Sequence, residues 1–232
     1  MLSSEQRQLL TDHFSQYISD HKKEFIEKVL AERTRYITVV MEDIYQSQNA
    51  SAVVRTCECM GVQDVHIIEN QSRYSVNPRV LKGANKWVDL VRYKDKRVNN
   101  TETCFNGLRQ KGYRLLVADP SPECISLNEV PVHEKLAIVM GNELKGTSGY
   151  ALDHADEKVR IPMVGFTESL NISVSAAICI NTILTKVRDS EIDWSLSAEE
   201  RSEIRLAWYR KAVKRSELIE HEFFLRLASK PS

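Results

Sequence analysis

KLAIVMGNELKGTSG, Lys135 to Gly149, is a strongly apolar run that opens into a glycine-rich loop. The loop nearly spells a phosphate-binding turn. That turn needs a lysine where this chain has Thr147, and Lys145 lies two positions away. A phosphate loop places its lysine on the β- and γ-phosphates. Glu143 would instead set an anion inside an anion cradle, so the nucleoside-triphosphate reading fails on charge. What remains is either a plain strand-to-helix turn or a loop that holds a different kind of ligand.

Working outward, β-rich apolar runs occur at TVVMEDI (38–44), DVHIIEN (64–70), LVRY (90–93), RLLVAD (114–119), KLAIVM (135–140) and KVRIPM (158–163). Helical patterns lie between them. NASAVVRTCECMG (49–61) reads as a helix with Asn49 near its N-cap and Gly61 past its end. TETCFNGLRQKG is closed by Gly112, and ISVSAAICINTILTKV (172–187) is an apolar helix after the loop VGFTESLN. Strands alternating with helices predict an α/β protein with a mostly parallel sheet. Residues 1–33 read as a helical extension, 34–190 as the α/β domain and 191–232 as a second helical extension. In the last of these, Ser197 and Glu200 form a capping-box signature.

Composition narrows the function classes. With 232 residues, 42% hydrophobic and 28% charged, the chain is long enough to bury a real core and has the balance of a water-soluble protein. No apolar run approaches the roughly 20 residues a membrane helix needs. The N-terminus lacks a secretory layout, so a cytoplasmic protein is expected. Five cysteines without framework spacing fit that compartment and read as buried apolar groups. Cys57 and Cys59 would point about 200° apart on a helix, which prevents a shared metal. No metal site is expected. Zero net charge argues against nonspecific coating of nucleic acid but leaves a local basic face open.

Ligands of open α/β sheets bind beyond the carboxyl ends of strands. Three segments there carry polar residues: QSQNASAVVRT (46–56), the loop after Met140, and IPMVGFTESLNISVSA (161–176). Asn49 alone is explained as a helix cap, and Ser169 and Asn171 likewise. Arg55 reads on pattern as an arginine whose stem lies on an apolar face.

Taken in order, NASAVVRTCECMGV (49–62), IVMGNELKGTS (138–148) and IPMVGFTESLNISVSAA (161–177) resemble the three motifs of the SPOUT methyltransferase superfamily, in its TrmH (SpoU) branch of RNA 2′-O-ribose methyltransferases. SRYSVNPRVLKGANKWV (72–88) is similar to that branch as well, and the likeness spans about residues 25–215. The resemblance implies a C-terminal half threaded as a deep trefoil knot, a bent S-adenosylmethionine held in it, and a homodimer that completes the site. The absence of an early G-x-G-x-G agrees, since Rossmann-type methyltransferases need one.

By motif, the resemblance assigns Ala118, Met140, Gly141, Ile161, Met163 and Leu170 to the cofactor. It assigns Arg55 to catalysis, with Asn49, Glu143, Ser169 and Asn171 positioning it and the substrate ribose. The implied substrate is tRNA, with guanosine 18 of the D-loop as target. Ribosomal RNA, a tRNA wobble ribose, or an inactive RNA-binding relative are the alternatives. Basic residues of the tail and of the N-terminal part of the chain, namely Lys22, Lys23, Arg33, Arg35, Arg210, Lys211, Lys214 and Arg215, are candidates to grip the RNA backbone. Trp208 and Tyr209 interrupt that basic run and are expected to be buried rather than to stack on bases.

Overall fold

In a computed structural model, which describes residues 2–228, the elements in chain order are as follows. Helices α1 (Ser4–Ser15) and α2 (Asp20–Ala31) lead into β1 (Ile37–Glu42), α3 (Ser47–Met60) and β2 (Asp64–Ile68). The short α4 (Pro78–Leu81) precedes β3 (Asp89–Tyr93), α5 (Asn100–Gln110), β4 (Tyr113–Ala118) and β5 (Ile125–Ser126). Then come β6 (Lys135–Met140), the short α6 (Gly149–Asp153), β7 (Glu157–Arg160), α7 (Ile172–Arg188), α8 (Ala198–Ala212) and α9 (Ser216–Ala228).

The strands form one seven-stranded sheet in the order β3-β2-β1-β6-β4-β7-β5, with every neighbouring pair parallel. A parallel sheet must be covered on both faces, and the central strands read accordingly. All six residues of β1 are buried. Val39 and Met41 point to a core shared with Val53 and Val54 of α3 and Ile180 and Ile183 of α7. Val40, between them, points to the opposite core with Phe105 and Leu108 of α5 and Ala151 of α6. This alternation of side chains along a strand makes three layers from one apolar run. The chain steps outward from β1 to β2 and β3, then crosses to β4, leaving the gap that β6 fills. That reversal of strand order is the switch point where such sheets open a crevice at their carboxyl ends.

The chain forms two compact units, one of Thr34–Trp194 and one in which both terminal segments come together, up to Arg33 and from Ser195 onward. In the terminal unit α8 packs against α1 and α2. Leu10, Phe14, Ile26 and Leu30 are buried there, as are Ile204, Leu206, Trp208 and Tyr209 of α8. The capping box of Ser197 and Glu200 opens α8, and Ser3 with Gln6 forms a second one on α1.

Several local expectations change. Residues 1–33 hold two helices, because the chain leaves helical geometry after Ser15 and restarts at Asp20. The C-terminal tail is likewise broken, where Val213 is extended and Arg215 adopts φ 57°. β7 ends at Arg160, so Ile161–Met163 is loop, and the two-residue β5 is too short to leave a pattern in sequence. Gly61 does end α3 in the left-handed region, at φ 86°. Asn49, however, is not a cap: Gln46 holds that position, and Asn49 lies in the first turn with its side chain engaged elsewhere. The cap of α7 is Asn171, whose Oδ1 accepts the Ser173 amide, rather than Ser169. Cys59 is exposed while Cys57, Cys104, Cys124 and Cys179 are buried.

Candidate active site

A cavity of about 400 Å³ opens where β4, β6 and β7 end, and it is closed by the first turns of α3 and α7. Asn49, Ala118, Met140, Gly141, Glu143, Ile161, Met163, Ser169, Leu170 and Asn171 all line it. Segments more than 100 residues apart in sequence thus meet at one place. Gly141 is required for the loop's shape, since a Cβ there would stand 2.4 Å from the Thr147 amide nitrogen. The loop folds back on itself through a pair of backbone bonds between Asn142 and Gly146, at 2.8 and 2.9 Å.

Glu143 organises the rim. Its Oε2 accepts the Tyr45 amide at 2.9 Å, and its Oε1 accepts the Gln46 amide at 3.1 Å and Asn49 Nδ2 at 2.9 Å. Gln46 has no side-chain cap of its own, so this carboxylate serves the N-terminus of α3, where negative charge is favoured. Burial pushes the Glu143 carboxyl up, but the bonds from Asn49 and from the Tyr45 and Gln46 amides outweigh it and hold its pKa below the ordinary value. The group is an ionised acceptor with its lone pairs engaged. Asn171 Nδ2 donates to Asn49 Oδ1 at 3.1 Å, so the chain of bonds runs from α7 through α3 to the loop after β6.

A second carboxylate, unnoticed in sequence, anchors the far end of that loop. Glu42 is 2% exposed. It accepts the Ser148 hydroxyl at 2.8 Å, the Ser148 amide at 2.9 Å and the Thr101 hydroxyl at 2.6 Å. Next to it, the Asp43 carbonyl accepts Asn142 Nδ2 at 2.6 Å. Asp119 also lines the cavity. Its signal was available, since it is the carboxylate at the exit of the RLLVAD strand.

The lining contains two carboxylates, Asp119 and Glu143, and no lysine, arginine or histidine. Such a cavity suits a cationic or neutral polar ligand and repels phosphate. Among the described residues no three histidine, cysteine or acidic side chains come together as a metal ion requires.

Arg55 stands apart. It is exposed and outside the cavity lining, and its Nη1 donates to the Val80 carbonyl at 3.4 Å. Six residues beyond Asn49 on the same helix, it is about 9 Å along the axis and turned roughly 120° away. Of the extension residues, Arg33 is a correction: it is 1% exposed, with its guanidinium 5.2 Å from the Trp208 ring centroid, and cannot reach RNA. Arg35 is half-buried and paired. It bridges Asp64 at 3.1 Å and Asp89 at 2.9 Å, the first residues of β2 and β3, at the end of the sheet opposite the cavity. Lys23 pairs with Asp20 and Arg210 with Glu220, while Lys22, Lys211, Lys214 and Arg215 are exposed. Trp208 and Tyr209 are buried, as expected of them.

The family model described as the SpoU rRNA Methylase family matches residues 36–181, more than half of the chain. The chain belongs to this family. A tRNA (guanosine(18)-2′-O)-methyltransferase of Borreliella burgdorferi is 44% identical over 207 residues, spanning 89% of this chain and 93% of that protein. Among solved structures, the TrmH/SpoU tRNA modifying enzyme of A. aeolicus superposes with a TM-score of 0.74 at 27% identity, covering 84% of this chain and 98% of the other. The SpoU methyltransferase AviRb of Streptomyces viridochromogenes, solved with AdoMet, shares the fold at a TM-score of 0.57 and 18% identity, over 70% of this chain and 62% of that one. The SpoU match contains the whole cavity lining, from Gln46 to Ser175.

Proposed function

We propose that this chain transfers a methyl group from S-adenosylmethionine to the ribose 2′-hydroxyl of guanosine 18 in the tRNA D-loop. The observation that carries the reading is the 44% identity, over nearly full length on both sides, with a tRNA (guanosine(18)-2′-O)-methyltransferase. The cavity fits that chemistry. A site with two carboxylates and no basic side chain favours a sulfonium over the phosphates of a nucleotide. Its volume lies in the range of small-molecule sites.

The bound cofactor supplies an electrophilic methyl group. It would pass to the ribose oxygen, with an O–C bond formed as the C–S bond breaks, the thioether product leaving and the hydroxyl proton passing to solvent water. Gly141, with Met140, Ala118, Ile161, Met163 and Leu170, lines the cofactor's end of the cavity. Glu143 does not take the proton, since its oxygens already accept three N–H bonds and its pKa is lowered. It holds Asn49, which Asn171 holds from the other side, and together with Ser169 these fix the ribose. The Arg55 guanidinium stabilises the developing alkoxide once RNA spans the distance between it and the cavity.

The fold reading extends to the trefoil knot. After β7, near one edge of the sheet, the chain returns as α7 to pack on α3 and on the central β6. A homodimer is part of the proposal as well. Val164 and Phe166 stand fully exposed in the loop before α7, and Val174 is 46% exposed on its first turn, an arrangement that asks for a covering surface. Among the described residues no helix is long and apolar enough to cross a membrane. We propose that the enzyme works with its tRNA in the cytoplasm.

Incubation of unmodified tRNA transcript with tritiated cofactor, followed by mapping, tests the assignment. Label on the ribose of guanosine 18 is expected. Label on a base, or on ribosomal RNA alone, would refute it, and Arg55→Lys is expected to abolish most transfer.

A further inference from the structure

The segment QSRYSVNPRVLKGANKWV, residues 71–88, holds four basic side chains and no acidic one, in a chain where 32 basic residues face 32 acidic ones. Arg73, Arg79, Lys82 and Lys86 are all exposed, and among the described residues none takes part in an ion pair. Elsewhere in the molecule the arginines are commonly neutralised, as in Arg92 with Glu69 or Arg114 with Glu157. Four cations left without counterions along one stretch make a local positive field that the zero net charge conceals.

The stretch is also fixed in place beside the site. Asp43 Oδ1, at the exit of β1, accepts the amides of Gln71 and Ser72 at 2.8 and 2.9 Å. Ser51 Oγ of α3 accepts the Asn77 amide at 2.8 Å, and Arg55 reaches the Val80 carbonyl. Lys145 of the cavity loop donates to Gln71 Oε1 at 2.9 Å. The segment therefore begins at the loop after β6 and passes Arg55. Lys82 adopts φ 52° without being a glycine, a costly backbone state held at a charged, exposed position.

We propose that Arg73, Arg79, Lys82 and Lys86 form the track along which the phosphodiester backbone of the substrate RNA lies on its way to the cavity. The proposal rests on the reading of the chain as an RNA 2′-O-methyltransferase. It places the main RNA grip on the catalytic unit, not on the helical extensions. Lysine and arginine meeting phosphate act by counterion release, so the contact must show in the salt dependence of binding.

The test is filter binding of an unmodified tRNA transcript across a salt series, with cofactor affinity measured in parallel by calorimetry. The variant Arg73→Gln/Arg79→Gln/Lys82→Asn/Lys86→Gln is expected to bind tRNA roughly 10- to 100-fold more weakly at about 0.1 M salt, with a salt slope reduced by roughly two to three. Its cofactor affinity and thermal midpoint should match the parent. Asparagine is chosen at position 82 because it tolerates positive φ. The single exposed changes Lys82→Asn and Lys86→Gln leave packing untouched, and each should weaken binding several-fold. Removing Lys211, Lys214 and Arg215 together should weaken it less than the fourfold variant does. A fourfold variant that binds tRNA within twofold of the parent, with the parent's salt slope, overturns the track while leaving the enzyme assignment standing. A parent protein that binds cofactor but no RNA overturns both.

Discussion

Around Glu143 the polar groups of the catalytic unit converge: Asn49 and two backbone amides donate to one carboxylate at the rim of a cavity, and Asn171 donates to Asn49. In the helical unit the charged side chains instead run between helices. Arg205 of α8 grips Glu27 of α2, Arg7 of α1 meets Glu199 and Glu203 of α8, and Arg210 of α8 meets Glu220 of α9. The first arrangement fixes a geometry that a ligand can use, and the second joins helices to one another. A run of arginine and lysine in a sequence therefore says little about what it binds until its counterions are known.

The sharpest way to break this contrast is at Glu143. Glu143→Ala removes the acceptor of the Tyr45 and Gln46 amides at the entry to α3 and releases Asn49, so kcat/KM is expected to fall by about 10³, or ~4 kcal/mol of transition-state stabilisation. Glu143→Gln keeps the shape but sets an amide group against N–H donors, and should lose about 10². Thermal midpoints should move by only a few degrees, because the group lies at the rim. Methyl transfer by Glu143→Ala at more than a tenth of the parental rate would mean that the network does not organise the reaction.

The catalytic unit also conceals a titration. His66 on β2 is 2% exposed, bonded through Nδ1 to the Tyr93 hydroxyl at 3.0 Å. Burial, with help from the charge of Lys111, takes its pKa from 6.5 down to about 4. The folded state keeps the ring neutral, while the unfolded chain takes up a proton below pH 6.5. Stability is therefore fully present above pH 6.5, declines as pH falls toward about 4, and levels off below it. The loss amounts to ~3 kcal/mol over that window. Urea unfolding at pH 7 and at pH 4.5 should show it, and His66→Phe should flatten that part of the slope. An unchanged slope in the variant would place the acid sensitivity elsewhere.

The sheet was readable because β1 and β6 are apolar runs of strand length, and α3 and α5 end in glycines whose positive φ closes them. Most of the cavity was readable through motif order, which outlines it from Asn49 to Asn171. What the sequence concealed was partnership. Asn49 reads equally well as a cap, and only the fold brings Glu143 to it across 94 residues. Glu42 reads as an ordinary strand end until Ser148 arrives from 106 residues away. Arg33 and Arg35 read as surface charges, yet one is buried against Trp208 and the other is clamped by two aspartates. Long-range contacts decide each case, and no local pattern encodes them.

The smallest expected effect lies in the helical unit. Arg205 meets Glu27 with two bonds, Nε to Oε1 at 2.5 Å and Nη2 to Oε2 at 2.7 Å, but the side chains are 27% and 46% exposed. Water and salt screen such a pair, and holding two long side chains in register costs entropy. Arg205→Ala is therefore expected to cost less than about 1 kcal/mol in denaturant unfolding, shrinking further in 0.5 M salt, with kcat/KM for methyl transfer within twofold of the parent. A double cycle with Glu27→Ala separates the pair from the packing of the arginine stem. A coupling above about 2 kcal/mol, or a fall in activity alongside it, would mean that charges between helices here do as much organising as those around Glu143, and the contrast between the two units would not hold.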